Sequence, residues 1–154
     1  MTHILFVCTG NICRSPMAEV LMRREIASRG LNGVTVSSAG TGAWDGAPAS
    51  EGAYLVGLEH GLDLSGHRAR LLTGDLVTQA DHIFAMAEHH LTRLRELRAG
   101  PKATLLGTFA GRPEGEGDVG DPFGGDIETY RQAFDDLDEL VRVAAGRLRE
   151  AGGG

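Results

Sequence analysis

The start of the chain carries the pattern that most constrains the fold: an apolar run, a short turn and the beginning of a helix. Residues 4–7 are continuously apolar, which is typical of a strand buried on both faces of a sheet. After a turn containing Gly and Asn, Ser15 fits the N-cap of a helix and Pro16 fits its first position. The helical spacing continues to Gly30, a typical C-terminal stop. A buried strand that turns directly into a helix predicts the first half of a βαβ unit.

The same alternation of strands and helices continues along the chain. It predicts a single α/β domain over residues 1–151, with a parallel sheet, helices on both faces and a disordered tail at residues 152–154. Residues 107–125 are rich in Gly and acidic side chains and lack periodicity, which predicts a long surface loop. The other predicted elements are strands at residues 34–36, 82–86 and 103–106, and helices at residues 49–60, 89–98 and 127–148.

Composition narrows the possible partners. The chain has 154 residues and a net charge of -6 with no cluster of Lys and Arg, so nucleic acid is not an expected partner. No stretch approaches the ~20 apolar residues of a membrane span, and the N-terminal residues lack a signal-sequence pattern. The only cysteines, Cys8 and Cys13, do not make a disulfide framework. We therefore expect a protein of the reducing cytoplasm that works without a cofactor or membrane, and we expect a monomer.

The turn between the predicted strand and helix has the residues of an anion site. Backbone N–H groups at the start of a helix bind an oxyanion, and Gly10 is expected to allow a backbone geometry that a Cβ atom would obstruct. Arg14 adds a planar charged fork for two phosphate oxygens. The same donors, with the hydroxyl of Ser15, stabilise a thiolate at Cys8, which makes Cys8 a nucleophile beneath a bound phosphate.

The sequence VCTGNICRSPMAE at residues 7–19 resembles the signature of the low-molecular-weight protein-tyrosine phosphatases. The resemblance continues in SSAGTGAW at residues 37–44, in GHRAR at residues 66–70 and in the pair Asp121-Pro122. It implies a four-stranded parallel sheet of strand order 2-1-3-4. It also implies an enzyme that hydrolyses a phosphorylated protein through a phosphocysteine intermediate.

The resemblance also assigns roles by position. Cys8 is implied as the nucleophile and Arg14 as the phosphate clamp, while Ser15 stabilises the thiolate. Asn11 is implied as a brace for the loop, with His67 helping to hold it. The remaining members of the implied phosphate-binding loop are Thr9, Gly10, Ile12 and Cys13.

A general acid is needed to protonate the leaving group, and three acidic residues are candidates. Asp121 precedes a proline on the predicted long loop, where a catalytic acid can approach the substrate. The Asp-Pro pair is equally typical of a simple turn, so the pattern alone leaves both readings open. The family resemblance favours Asp121 as the acid, with Asp118 and Asp126 as alternatives.

The residues around the predicted pocket bear on the substrate. Ile12 narrows the pocket floor and favours a flat phenyl ring, and the resemblance implies Trp44 as an aromatic wall of the cleft beside Phe123. Thr9 and the single aromatic residue after Asp121-Pro122 instead resemble the bacterial protein-arginine phosphatase branch, which usually has threonine where this chain has Ile12. We therefore predict phosphotyrosine as the substrate, with phosphoarginine as the alternative.

Two other classes of function use part of the same sequence pattern. A phosphocysteine carrier would share the strand, cysteine loop and helix but would not need Arg14 or a late acid, and a phosphoprotein-binding module would not need an activated thiol. The resemblance implies Cys13 as a redox partner of Cys8, and the alternative is that it packs as a small apolar residue. Four other histidines lack the spacing of a metal motif and are predicted to lie on the surface or at strand edges; they are His60, His82, His89 and His90.

Overall fold

The predicted strands form one parallel sheet. They are β1 (Thr2–Cys8), β2 (Val34–Gly40), β3 (His82–Ala85) and β4 (Ala103–Leu105). They lie side by side in the order β2-β1-β3-β4, and every neighbouring pair is parallel. The predicted sheet and its strand order are therefore confirmed. Since β1 is central, its C-terminal residue Cys8 lies at the middle of the sheet edge where functional sites of such folds occur.

The computed structural model describes residues 1–152 and contains six α-helices in that range. The helices are α1 (Arg14–Arg29), α2 (Glu51–Glu59), α3 (Gly74–Gln79), α4 (Glu88–Glu96), α5 (Leu106–Phe109) and α6 (Ile127–Gly152). The helix predicted at residues 89–98 is present but begins one residue earlier and ends two residues earlier, as α4. The short helices α3 and α5 were not predicted.

Helices cover both faces of the sheet, as predicted. Along β1, Ile4, Phe6 and Cys8 belong to one buried cluster, which also contains side chains of α1, α2, α5 and α6. Leu5 and Val7 belong to a second cluster, which contains side chains of α3 and α4. This alternation follows from the period of two residues in a strand, and it explains why the run at residues 4–7 is apolar throughout.

The last helix has the apolar face predicted from its spacing. Buried side chains recur along α6 at Tyr130, Phe134, Leu137 and Val141, and α6 packs against α1. The helix ends at Gly152, so the predicted tail falls outside the described residues from residue 153 onward. Within residues 1–152, none of the helices has the length and apolar character needed to cross a membrane.

The start of α1 differs from the prediction. The helix begins at Arg14 with Cys13 at the N-cap, and no side chain caps it, so Ser15 is not the N-cap and Pro16 lies at the third helical position. The Ser15 hydroxyl is used elsewhere, as described below. The predicted stop at Gly30 is confirmed, because Gly30 has the left-handed backbone conformation (φ 63°) of a C-terminal cap.

The predicted surface loop at residues 107–125 is only partly a loop. Its first residues belong to α5, which directly follows β4. Most of the remaining loop is exposed, but Val119 is buried and its N–H donates to the carbonyl of Met86 over 2.7 Å. The loop is therefore fixed, two residues before Asp121, to the residue that follows β3.

Candidate active site

The loop between β1 and α1 surrounds a small cavity. Cys8 is the last residue of β1 and Arg14 is the first of α1, and both are buried. The cavity has a volume of about 180 Å³. The residues that line it are Cys8, Thr9, Gly10, Ile12, Cys13, Arg14, Asp121 and Phe123.

Asn11 holds this loop from the inside. It is fully buried with a left-handed backbone conformation (φ 56°), which Asn tolerates better than most residues. Its side-chain N–H₂ donates to the hydroxyls of Ser15 and Ser38, both over 2.8 Å. Its side-chain carbonyl accepts the N–H of Arg70 over 2.9 Å. Every polar atom of the Asn11 side chain therefore has a partner, as expected for a buried amide.

His67 contacts the backbone of Asn11. The Nε2 atom of His67 lies 2.6 Å from the backbone carbonyl of Asn11. Because a carbonyl only accepts hydrogen bonds, Nε2 carries the proton and donates it. This hydrogen bond agrees with the role that the resemblance implied for His67, which is to help hold Asn11 in the loop. The Ser38 hydroxyl, in turn, donates to the carboxylate of Glu19 over 2.6 Å and extends the network away from the cavity.

The glycine that the loop requires is Gly40, not Gly10. A Cβ atom on Gly10 would make only ordinary contacts, the nearest being 3.5 Å from the Ile12 side chain. A Cβ atom on Gly40, at the end of β2, would lie 2.4 Å from the carbonyl oxygen of Thr9 and 2.9 Å from the N atom of Asn11. The expected reason for Gly10 is therefore wrong. The close approach is between the loop and the neighbouring strand, which local sequence does not reveal.

Arg14 and the residues before α6 meet at the cavity. The Nη1 atom of Arg14 donates to the carbonyl of Val119 over 3.0 Å, and Nη2 lies 3.6 Å from the Asp121 carboxylate. The Arg14 side chain is only 4% exposed, whereas that of Asp121 is 51% exposed. The guanidinium is thus fixed beneath the opening, and the carboxylate stands at its edge.

The other two candidate acids are occupied as helix caps. The carboxylate of Asp118 accepts the N–H of Glu88 at the start of α4 over 3.1 Å. The carboxylate of Asp126 accepts the N–H and the hydroxyl of Thr129 at the start of α6. Hydrogen bonds from Thr129 also lower the pKa of Asp126. Of the three acids considered, the cavity is lined by Asp121.

Cys13, the second cysteine of the loop, is buried and lies beside two hydroxyl groups. Its sulfur is 3.2 Å from the hydroxyl of Ser50 and 3.4 Å from that of Tyr130. Burial raises the pKa of the Cys13 thiol, and burial also raises the pKa of Tyr130, to about 12. Both groups are therefore protonated at neutral pH. The sulfur still lines the same cavity as Cys8.

Comparison with known proteins agrees with this geometry. Residues 3–152 match the family model described as low molecular weight phosphotyrosine protein phosphatase. The chain belongs to this family. Its members are phosphatases that act on phosphorylated proteins. The resemblance and the fold predicted from the sequence are both confirmed.

Named relatives of this phosphatase fall into two groups. A protein-arginine-phosphatase of Geobacillus stearothermophilus is 40% identical over 149 residues, covering 96% of each chain. A probable low molecular weight protein-tyrosine-phosphatase, EpsP of Ralstonia nicotianae, is 38% identical over 149 residues, covering 97% of each chain. Among solved structures, a variant of the arginine phosphatase YwlE with a phosphorylated active-site serine aligns with a TM-score of 0.91 and 38% identity, covering 97% of each chain.

Of the three side chains expected around the phosphatase cavity, two line it and one does not. Phe123 and Ile12 line it, as expected. Trp44 is not among the lining residues, and its side chain is 86% exposed. It follows the turn at Gly42, whose N–H donates to the carbonyl of Thr9, so it stands near the loop without forming a wall of the cavity.

Sequence reasoning missed His90. The prediction of a surface or strand-edge position is wrong, because His90 is fully buried near the start of α4. Its Nε2 atom lies 2.8 Å from the hydroxyl of Thr9 in the phosphate-binding loop. His89, next to it, is exposed as predicted. The sequence signal was the position of His90 three residues after the helix N-cap, where a polar side chain reaches back to the backbone.

Proposed function

We propose that this protein is a protein-tyrosine phosphatase that hydrolyses phosphotyrosine through a phosphocysteine on Cys8. One observation carries the proposal: Cys8, Arg14 and Asp121 line the same small cavity. A buried thiol, a fixed guanidinium and a partly exposed carboxylate are what phosphoryl transfer to sulfur needs. The match to the tyrosine phosphatase family supports the same reading.

In the first step the Cys8 thiolate attacks phosphorus in line with the bond to the leaving group. The P–O bond breaks, and the phenolate oxygen takes a proton from the carboxylic acid of Asp121. The Arg14 guanidinium binds two of the phosphoryl oxygens, with backbone N–H groups at the start of α1. These donors are held in place before the reaction, so little reorganisation is needed as charge moves onto the oxygens.

In the second step water attacks the phosphocysteine. The Asp121 carboxylate, now deprotonated, accepts a proton from this water, and the P–S bond breaks to release phosphate and the Cys8 thiolate. The Ser15 hydroxyl, 2.9 Å from the sulfur, stabilises the thiolate as it leaves. The same carboxylate therefore serves as acid and then as base, and the enzyme returns to its starting state.

Phosphotyrosine is supported by the walls of the cavity. Ile12 and Phe123 contribute apolar surface to the cavity that Cys8 also lines. A phenyl ring makes favourable contact with such surface, whereas these two side chains offer a guanidinium group no hydrogen bond. The expected cellular location is the cytoplasm, where a reactive thiol stays reduced.

Phosphoarginine is the second candidate, and two polar side chains of the cavity favour it. The hydroxyl of Thr9 and the carboxylate of Asp121 line the same cavity and are hydrogen-bond acceptors for a guanidinium group. The relative from Geobacillus stearothermophilus, named as a protein-arginine-phosphatase, supports this alternative. The mechanism would be the same, except that a P–N bond breaks and Asp121 protonates nitrogen.

The test combines a substrate comparison with a variant of the nucleophile. Wild type is assayed on a phosphotyrosine peptide and on an arginine-phosphorylated protein under identical conditions, and we expect a higher kcat/KM on the former. Cys8→Ser should lose turnover and retain a phosphoryl group on residue 8, detectable by mass spectrometry. A folded Cys8→Ser protein with more than about 5% of wild-type activity would falsify the mechanism.

A further inference from the structure

His90 joins the phosphate-binding loop to helix α4. Its ring is fully buried, with Nε2 at 2.8 Å from the hydroxyl of Thr9, the residue directly after the nucleophile. Its Nδ1 lies 3.0 Å from the N atom of Ala87, at the start of α4. His89 lies farther away, at 3.5 Å from the same hydroxyl, and is exposed.

The partners of His90 determine where its proton lies. The N–H of Ala87 can only donate, so Nδ1 accepts and carries no proton. The single proton of a neutral imidazole is therefore on Nε2 and is donated to the hydroxyl oxygen of Thr9. Both ring nitrogens are used, and the ring is fixed between the loop and the helix.

The start of α4 also holds the segment that carries Asp121. The N–H of Glu88 donates to the Asp118 carboxylate over 3.1 Å, and the N–H of Val119 donates to the carbonyl of Met86, just before α4, over 2.7 Å. The phosphate-binding loop and the acid segment are thus attached to the same helix terminus. His90 supplies the attachment of the loop through Thr9.

We propose that His90 is a positioning residue that sets the placement of the phosphate-binding loop relative to the general acid Asp121. This inference rests on the proposed phosphatase function. Without the contact to Thr9, the relation between loop and acid segment would depend on Arg14, which reaches the carbonyl of Val119 and the carboxylate of Asp121. His90 therefore affects proton transfer to the leaving group and leaves the attack by Cys8 less affected.

Electrostatics keep His90 in the state that this role requires. Burial lowers the pKa of His90 to about 3, with His89 and Arg14 acting in the same direction and Asp121 opposing them. The ring is therefore neutral from about pH 5 upward, and its Nδ1 remains an acceptor. The positioning contact does not titrate in the range in which the enzyme is assayed.

The test uses variants that keep or remove both hydrogen bonds. In His90→Gln the amide oxygen and nitrogen can replace Nδ1 and Nε2, so we expect near wild-type activity and the same pH profile above about pH 5. In His90→Leu both bonds are lost. We expect kcat/KM to fall about tenfold for phenyl phosphate and about twofold or less for para-nitrophenyl phosphate, whose leaving group needs less protonation.

Two further variants complete the test, and one of them is informative even if His90→Leu does not fold. Thr9→Val removes the same hydrogen bond at an exposed position and should reproduce the leaving-group dependence if His90→Leu does not fold. Because both act through the acid, Thr9→Val should cause no further loss in an Asp121→Asn background. His89→Ala is the matched control and should stay within about twofold of wild type for both substrates.

The outcomes separate this inference from the proposed function. Equal losses on both substrates in His90→Leu, or full additivity of Thr9→Val with Asp121→Asn, would overturn the positioning role while leaving the phosphatase assignment intact. An inactive wild type would overturn the proposed function and the inference with it. Recovery in His90→Gln together with the leaving-group dependence supports the positioning role.

Discussion

The Ser15 hydroxyl lies 2.9 Å from the sulfur of Cys8, and it is the donor when Cys8 is a thiolate, because a thiolate can only accept. The side-chain N–H₂ of Asn11 donates to the Ser15 oxygen over 2.8 Å, so this oxygen is already an acceptor. The Ser15 proton is consequently free to point at Cys8. A hydrogen bond donated to sulfur stabilises the thiolate relative to the thiol, which is the reactive form in the proposed mechanism.

Ser15→Ala should therefore weaken the nucleophile without unfolding the protein. A hydrogen bond to a charged group contributes about 1.5–3 kcal/mol, so we expect alkylation of Cys8 by iodoacetamide at about pH 6 to slow by roughly tenfold or more. Ser28→Ala, at an exposed position on the same helix, is the matched control and should alkylate at the wild-type rate. Equal rates in the Ser15 and Ser28 variants would contradict the assigned hydrogen bond.

Arg14→Lys should show that the shape of the cation matters as well as its charge. Lysine keeps the positive charge but lacks the planar fork that binds two phosphoryl oxygens, and it cannot keep the contact to Val119 at the same time. We expect kcat/KM to fall on the order of 10²-fold or more. Arg23→Lys, exposed on the same helix, serves as the control. A loss of less than about threefold at Arg14 would mean that the phosphate is held elsewhere.

Asp121→Asn should reduce kcat/KM most for substrates whose leaving group must be protonated. An amide cannot protonate the leaving group, so we expect about 10²-fold or greater loss for phenyl phosphate and a smaller loss as the leaving phenol becomes more acidic. The measurement is kcat/KM across a series of aryl phosphates. Asp126→Asn is the control, because the amide oxygen can still cap α6. A loss that is the same for every leaving group would refute the role of Asp121.

Most strands and helices of the fold were predictable because their sequence signals are local. The apolar run at residues 4–7 and the spacing of α6 each reflect contacts with a continuous core, so strand and helix types were predictable. The short helices α3 and α5 were missed, since helices of six and four residues carry too little periodicity.

The candidate site was predictable where its residues are adjacent in sequence. Cys8 to Ser15 could be read directly, but the need for Gly40 arises from a strand that approaches the loop from residues far along the chain. Likewise, His90 is buried and His89 exposed because of which side of α4 faces the core, and the start of α4 is not sharply defined by the sequence. Trp44 was expected at the cavity from the family resemblance, and its exposed side chain depends on the path of a loop that sequence does not determine.

Ile12→Thr should shift the preference between the two candidate substrates. A hydroxyl at this position would give a guanidinium group a partner in the cavity and would remove apolar surface that contacts a phenyl ring. We expect the ratio of phosphoarginine to phosphotyrosine kcat/KM to rise by about tenfold. Ile12→Val keeps the apolar wall and should leave the ratio unchanged. A wild type that already prefers phosphoarginine would show that Ile12 does not determine the substrate.

Cys13 remains a predicted redox partner of Cys8, and both cysteines line the same cavity. Peroxide converts the Cys8 thiolate to a sulfenic acid, and further oxidation is irreversible. Attack by Cys13 on that sulfenic acid would form a disulfide and release water, and dithiothreitol would then restore both thiols. After peroxide treatment we expect wild type to recover most of its activity with dithiothreitol. Cys13→Ser should recover much less and contain sulfinic or sulfonic acid at Cys8 by mass spectrometry.

The recovery of activity through Cys13 should also depend on pH. Burial raises the pKa of this thiol, so it is mostly protonated at neutral pH and its reactive thiolate becomes more abundant as pH rises. The fraction of activity recovered by wild type should therefore increase between about pH 7 and pH 9, and that of Cys13→Ser should not. Tyr130→Phe, which removes one hydroxyl contact to the sulfur, should change the extent of recovery without abolishing it. Equal recovery in wild type and Cys13→Ser at every pH would leave Cys13 with a packing role only.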